Sequence, residues 1–169
     1  MPISNFPRLR FTDVTEVEVL DRTAGFYVSA PPTDPLAAEL QPTAQTAKTS
    51  VLGCRQLDII ADIATIPNPS KLYIKLRFSG KESPSVATVA DWGYIQVDKI
   101  DTATGISSVQ EYMIEIDLNN VNNQTGHTTA RRYLVRIDQI SGMWASAIVW
   151  ASHANVTGKV YFQRQGGSM

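Results

Sequence analysis

At 169 residues, 43% hydrophobic and 18% charged, the chain has the size and composition of one globular domain, or of one domain with an extension. A domain this long buries roughly 70% of the surface its unfolded chain exposes, so it needs neither a disulfide nor a metal to hold it together. Lys and Arg number 15 against 16 Asp and Glu, for a net charge of −1. Arg131-Arg132 is the sole basic doublet, which argues against a nucleic-acid binder, since that needs a basic face to neutralise phosphates.

Met1-Pro2-Ile3-Ser4-Asn5-Phe6 has neither a basic start nor an apolar run behind it, so no signal peptide is expected. No stretch approaches the 18 or so consecutive apolar residues of a membrane span, so no membrane partner is expected. Two short strands are predicted, at about Glu16–Leu20 and Gly25–Ala30, with a turn at Asp21-Arg22-Thr23. Apolar residues are many before Ala30 but poorly spaced for a compact core. Pro31, Pro32, Pro35 and Pro42 then make an extended connector. Within it, Asp34 as N-cap, Pro35 at the first helical position and Pro42 as terminator leave room for one or two helical turns. Residues 1–49 therefore read as an N-terminal arm and connector, and 50–169 as the folded domain.

From Ser50 onward the sequence is nearly all strand and turn. Leu57, Ile59, Ala61 and Ile63 alternate with Asp58, Ile60, Asp62 and Ala64, and Pro67-Asn68-Pro69-Ser70 ends that strand. Cys54, the lone cysteine, lies in a strand-like run and reads as a small buried hydrophobe; it suits synthesis in a reducing cytoplasm. In Lys71–Ser79, Leu72, Ile74, Leu76 and Phe78 form one face and Tyr73, Lys75, Arg77 and Ser79 the other. That period of two predicts a half-buried antiparallel strand whose polar face tolerates water. Further strands are predicted at Trp92–Ile100, Val109–Leu118, Arg132–Ile140 and Trp144–Ser152, with a last one beginning at Val160–Gln163. Both residue sets of Trp144–Ser152 are largely apolar, so this strand is either central in its sheet or covered by another subunit. About seven strands roughly 10 to 15 residues apart, with no helix long enough for a parallel crossover, predict an all-β, antiparallel, jelly-roll-like β-sandwich with an extended N-terminal arm.

The residues that carry chemistry do not assemble into a recognisable motif. His127 and His153 have no His, Cys or carboxylate at metal-ligand spacing, and Gly-x-Ser-x-Gly is missing. Asp58 and Asp62 share a strand face but stand about 13 Å apart along the strand, too far to share one ion, and read as a solvated outer face. Asn123-Gln124-Thr125 and Asn155-Val156-Thr157 match the glycosylation sequon and read as accidents of an Asn-rich composition. The expectation is no catalytic residue, no cofactor and no metal. Trp92, Trp144 and Trp150, with Tyr94, Tyr112, Tyr133 and Tyr161, could form an aromatic platform for a sugar, or fill a core or a subunit interface.

The run Pro69–Gly80, followed by Trp92, by Glu111-Tyr112-Met113 and by Tyr133-Leu134-Val135-Arg136-Ile137, resembles small β-sandwich structural proteins of tailed bacteriophages. The resemblance covers about residues 50–165 at the level of pattern and transfers no functional residue. It implies a virion protein made in the host cytoplasm: most simply a capsid decoration or cement protein that bridges capsomers, or else a tail, neck or baseplate part. The implied partners are the major capsid protein or other virion proteins, and further copies of the chain, with a homotrimer favoured. A carbohydrate-binding or host-adhesion module is the alternative from a different class. The residues expected to form the assembly interface are Phe6, Leu9, Phe11, Phe26 and Tyr27 of the arm, with Trp144 and Trp150 of the doubly apolar strand.

Overall fold

A computed structural model describes residues 16–28, 38–100, 103–105, 107–119, 130–138 and 140–166. Eleven strands follow in chain order. They are β1 Glu16–Arg22, β2 Thr49–Ser50, β3 Cys54–Thr65, β4 Lys71–Ser79, β5 Gly93–Tyr94, β6 Gln96–Ile100, β7 Ser107–Glu111, β8 Ile114–Asp117, β9 Arg131–Ile137, β10 Trp144–Ala151 and β11 Thr157–Gly166. Among the described residues no helix is long and apolar enough to cross a membrane.

The protein is an all-β sandwich. One antiparallel sheet has the order β1-β11-β3-β9, and the other β2-β10-β4-β5, with β8 also paired to β4. Alternation fixes which face of each strand meets the other sheet. Leu57, Ile59, Ala61 and Ile63 of β3 and Val160 and Phe162 of β11 face Leu72, Ile74, Leu76 and Phe78 of β4 and Ala145, Ala147, Val149 and Ala151 of β10, all buried in one core. The small alanines of β10 let the facing sheet's large side chains interdigitate. β11 meets β3 so closely at Gly158 that a Cβ there would lie 2.3 Å from the Asp62 carbonyl oxygen.

Several expectations from the sequence need revision. The strands expected at Trp92–Ile100 and Val109–Leu118 each divide in two. β5 and β8 stay on β4, while β6 and β7 leave as a separate hairpin, closed at its base by the Tyr112 amide donating to the Ile95 carbonyl. Each break falls where two apolar residues are adjacent, Tyr94-Ile95 and Tyr112-Met113, and strict alternation lapses. The described parts of residues 1–49 belong to the sandwich. β1 is an edge strand on β11, and residues 38–50 run along the edge of β10 and over its outer face. Of the helical turns expected at 34–40, Ala38 and Glu39 are helical and 34–37 lie outside the described residues.

β10 is central, with β2 and β4 on its two sides, and seven of its eight residues are buried. The sequence left open whether its second face meets another subunit. Residues of the same chain cover it.

Candidate functional site

The chemically distinctive part of the molecule is the outer face of β10 and β4. Tyr73, Lys75, Arg77 and Ser79, expected to tolerate water, are all buried. Two pieces of chain cover them. The first is the segment 38–46. Its amide and carbonyl groups pair with β10, with Val149 donating to the Ala44 carbonyl and the Thr46 amide to the Ala147 carbonyl. Ala38 and Ala44, both fully buried, pack on Tyr73, Ile148 and Trp150, with Tyr27 and Met113 at the rim. The second is the loop from Gly80 to Trp92. It is held by Lys81 to Asp91, by the Ser85 amide to Asp91 (2.8 Å), and by Trp92 Nε1 to the Ser85 carbonyl (2.7 Å). The Lys81 ammonium and the Ser85 amide hold the Asp91 carboxyl below its ordinary range.

Under these covers two cations are buried side by side on β4. The Lys75 ammonium is paired with Glu39 from the cover segment and with Glu111 at the end of β7, and it lies 4.2 Å from the centroid of the Tyr94 ring. Burial pulls its pKa down, but the bonds to Glu111 and Glu39 outweigh that, and it stays above the ordinary lysine value. The Arg77 guanidinium stacks on Trp92 at 4.7 Å and donates to Ser146 Oγ and to the Val86 carbonyl (2.8 Å). Burial lowers its pKa, with Tyr94 and Glu39 acting against the shift. The Tyr94 phenol is pushed up by burial and by Glu39. The Arg77 guanidinium and the Tyr94 phenol lie within reach of each other, and Trp150 Nε1 is buried without a hydrogen-bond partner. Trp150 is stacked on Tyr73, with ring centroids 5.5 Å apart and planes at 22°.

Among the expected interface residues, Phe26 lies in the core and Tyr27 is half-buried at the edge of the second cluster. Trp150 is fully buried under the chain's own cover. Trp144 is half-buried, with Lys48 over its ring at 4.9 Å and its Nε1 donating to the Glu82 carbonyl. Phe6, Leu9 and Phe11 lie outside the described residues, as does His127. His153 sits in a turn, where its Nδ1 accepts from the Asn155 amide. Cys54 is half-buried, and burial raises its thiol pKa.

The outer face of the four-stranded sheet is different. Its charges pair across strands. Lys159 on β11 holds Glu18 (2.9 Å) and Asp21 (3.2 Å) of β1. Arg132 of β9 reaches Glu16 and lies 5.8 Å from the Tyr161 ring. Asp58, expected to be solvated, is instead 1% exposed. Arg136, Gln56 and Gln165 close over it as donors at 3.0–3.1 Å. Asp62 is exposed, as expected. Leu134 stands 56% exposed at the centre of the edge strand β9.

A shallow open groove of about 200 Å³ runs between Phe78–Gly80, Gly93–Ile95 and Ser141-Gly142, with no charged side chain in its lining. Among the described residues no three His, Cys, Asp or Glu side chains gather at metal-binding distance. Neither a protein-family model, nor a curated protein, nor a solved structure matches the chain.

Sequence reasoning missed the Glu39–Lys75–Glu111 group. Its one visible trace is Glu39, the single charge between Thr33 and Lys48 other than Asp34.

Proposed function

We propose that the protein is a non-enzymatic structural component of a tailed-bacteriophage virion: a decoration or cement protein that bridges capsomers of the major capsid protein and acts as a homo-oligomer, most simply a trimer. Its action is passive: apolar and hydrogen-bonding surface laid across a junction adds interface area against internal pressure. The observation that carries the reading is how the chemically capable side chains are used. Lys75 and Arg77 lie under the chain's own covers, bound to Glu39, Glu111, Ser146 and Val86. Such bonding builds a rigid block, and the likeness of Pro69–Gly80 and the strands after it to phage β-sandwich proteins points the same way.

The aromatic pattern favours this reading over a sugar-binding module. Each indole already has a ring neighbour: Arg77 on Trp92, Lys48 on Trp144 and Tyr73 on Trp150. A sugar platform needs a free aromatic face.

The test is the copy number of the protein in the purified particle that encodes it, together with binding to particles lacking it. Hundreds of copies are expected. A dozen or fewer would move the protein to the neck, tail or baseplate, and none would overturn the virion role. A chain truncated at residues 1–15, which keeps β1 whole, is expected to bind capsids weakly; full-strength binding would remove the arm from the interface.

A further inference from the structure

Three pieces of chain that are distant in sequence meet on one buried ammonium. Glu39 comes from the cover segment, Lys75 from the middle of β4, and Glu111 from the last residue of the β6–β7 hairpin. The Tyr94 ring beside the same ammonium belongs to β5, which leads into that hairpin. Glu39 is the sole charge in residues 38–46, and its side chain is 6% exposed against 5% for Lys75 and 43% for Glu111. One lysine thus ties down both the segment that closes the outer face of β10 and the hairpin that departs from its sheet.

We propose that Lys75 is a latch that couples the cover segment 38–46 to the β6–β7 hairpin, so that loosening either one loosens the other and the pair open the outer face of β10 and β4 as a unit. The coupling is electrostatic. While the cover is closed, the Lys75 end of its bond to Glu111 is buried, so water is scarce at the ammonium and attraction is strengthened there. If the cover lifts, water reaches the ammonium, the effective dielectric rises, and the bond to Glu111 weakens although Glu111 has not been touched. If the hairpin swings away, Lys75 loses one of its two carboxylates, and the buried charge is no longer fully compensated at Glu39.

The closed state also leaves one donor unmet. Trp150 Nε1 is buried without a partner and would gain water on opening. That offsets part of the cost of uncovering the Tyr73–Trp150 stack, so the latch lies closer to opening than a fully satisfied face would. The inference does not depend on the particle role proposed above.

Hydrogen–deuterium exchange on the full chain tests it, read peptide by peptide in the wild type, Glu111→Gln and Glu39→Gln. Glu111→Gln alters a half-exposed side chain whose ion pair is with Lys75. It is expected to speed exchange of the Ala44, Gln45 and Thr46 amides several-fold. Glu39→Gln is expected to do the same across 107–112. Protection in β3 and β11 should stay unchanged in both, which separates latch opening from general loss of stability. Each variant loosening its own segment alone would overturn the coupling. Should Glu39→Gln fail to fold, Glu111→Gln decides by itself: unchanged exchange at 44–46 overturns the proposal. Lys75→Met is the positive control and should loosen both segments.

Discussion

Trp150 allows a test of how well the cover fits. Its indole is fully buried against Tyr73, Ala38, Ala44 and Ile148, yet its Nε1–H has no acceptor. Truncation to Ala removes the whole ring from a packed site and should cost about 3–5 kcal/mol. Replacement by Phe sets two terms against each other. Two ring carbons fewer give up on the order of 1.5 kcal/mol, at about 0.8 kcal/mol per buried carbon. Deleting a buried donor that has no partner returns about 1–3 kcal/mol. Trp150→Phe should therefore fall between about 0.5 kcal/mol less and about 1.5 kcal/mol more stable than the wild type. For a chain of this length, where 1 kcal/mol moves Tm by roughly 2–4 °C, that is a shift of a few degrees at most.

Trp92 is the internal control. Its Nε1 donates to the Ser85 carbonyl at 2.7 Å and its ring carries Arg77, so Trp92→Phe loses a bond and part of a cation–π contact. It should cost more than Trp150→Phe by about 1–2 kcal/mol. Urea unfolding followed by far-UV circular dichroism measures all three variants, since fluorescence changes with the tryptophan count. If Trp150→Phe costs as much as Trp150→Ala, or more than Trp92→Phe, then the unmet N–H is not what limits this site and the reasoning fails.

Four further outcomes follow from the packing and the charges. Gly158→Ala sets a Cβ against the Asp62 carbonyl and the Ile63 Cα, both backbone, so β3 and β11 must part; a loss of about 3 kcal/mol or more in urea melts is expected. Gly80→Ala, with open space around it, should stay within about 0.5 kcal/mol of the wild type. The folded-state pKa of Lys75 lies above its unfolded value, so the stability it contributes is complete below about pH 10.4 and is lost as pH rises through the higher folded value. Melts from pH 8 to 12 should show the wild type losing an alkaline increment that the double variant Lys75→Met/Glu39→Gln lacks; parallel curves would contradict this. Asp58→Ala strips the acceptor from Gln56, Gln165 and Arg136 and should cost about 1–3 kcal/mol by thermal melting, where a solvated carboxylate on a sheet face would cost almost nothing.

The sandwich was legible because its core is written in side-chain alternation. Leu57 to Ile63, Leu72 to Phe78, Tyr133 to Ile137 and Ala145 to Ala151 each send their even or odd set inward as the pattern requires. What alternation cannot report is whether the other face is wet. The Tyr73, Lys75, Arg77 set reads the same whether it meets water or a cover; the cover brings Glu39 from 36 positions away, and the neighbouring strand brings Ser146 from 69. Asp58 went unread for a like reason. Its donors Arg136 and Gln165 lie 78 and 107 residues on, and strand register alone brings them together. The departure of the β6–β7 hairpin left a faint mark, the adjacent apolar pairs Tyr94-Ile95 and Tyr112-Met113, which by themselves do not say that a strand leaves its sheet. The buried face of β10 came closest to being foreseen, since Ile148 and Trp150 opposite four small or aliphatic residues demanded some cover.

That cover changes where contacts with other molecules have to be sought. β10 was the expected home of an interface, with Trp144 and Trp150 as anchors, but in the described chain its outer face is occupied by Ala38, Ala44 and the Gln45–Ile148 bridge. The four-stranded sheet instead offers a face laced by Lys159 with Glu18 and Asp21 and by Arg132 with Glu16, and Leu134 stands out of it on an edge strand. Exposed pairs of this kind add little to folding and are screened by salt, so they are free to exchange partners at low energetic cost when another surface arrives. The buried Lys75 group has the opposite character, because losing either carboxylate leaves an uncompensated charge. One sheet therefore holds the chain's own segments in place, while the other carries the Lys159 and Arg132 pairs part-exposed on its outer face.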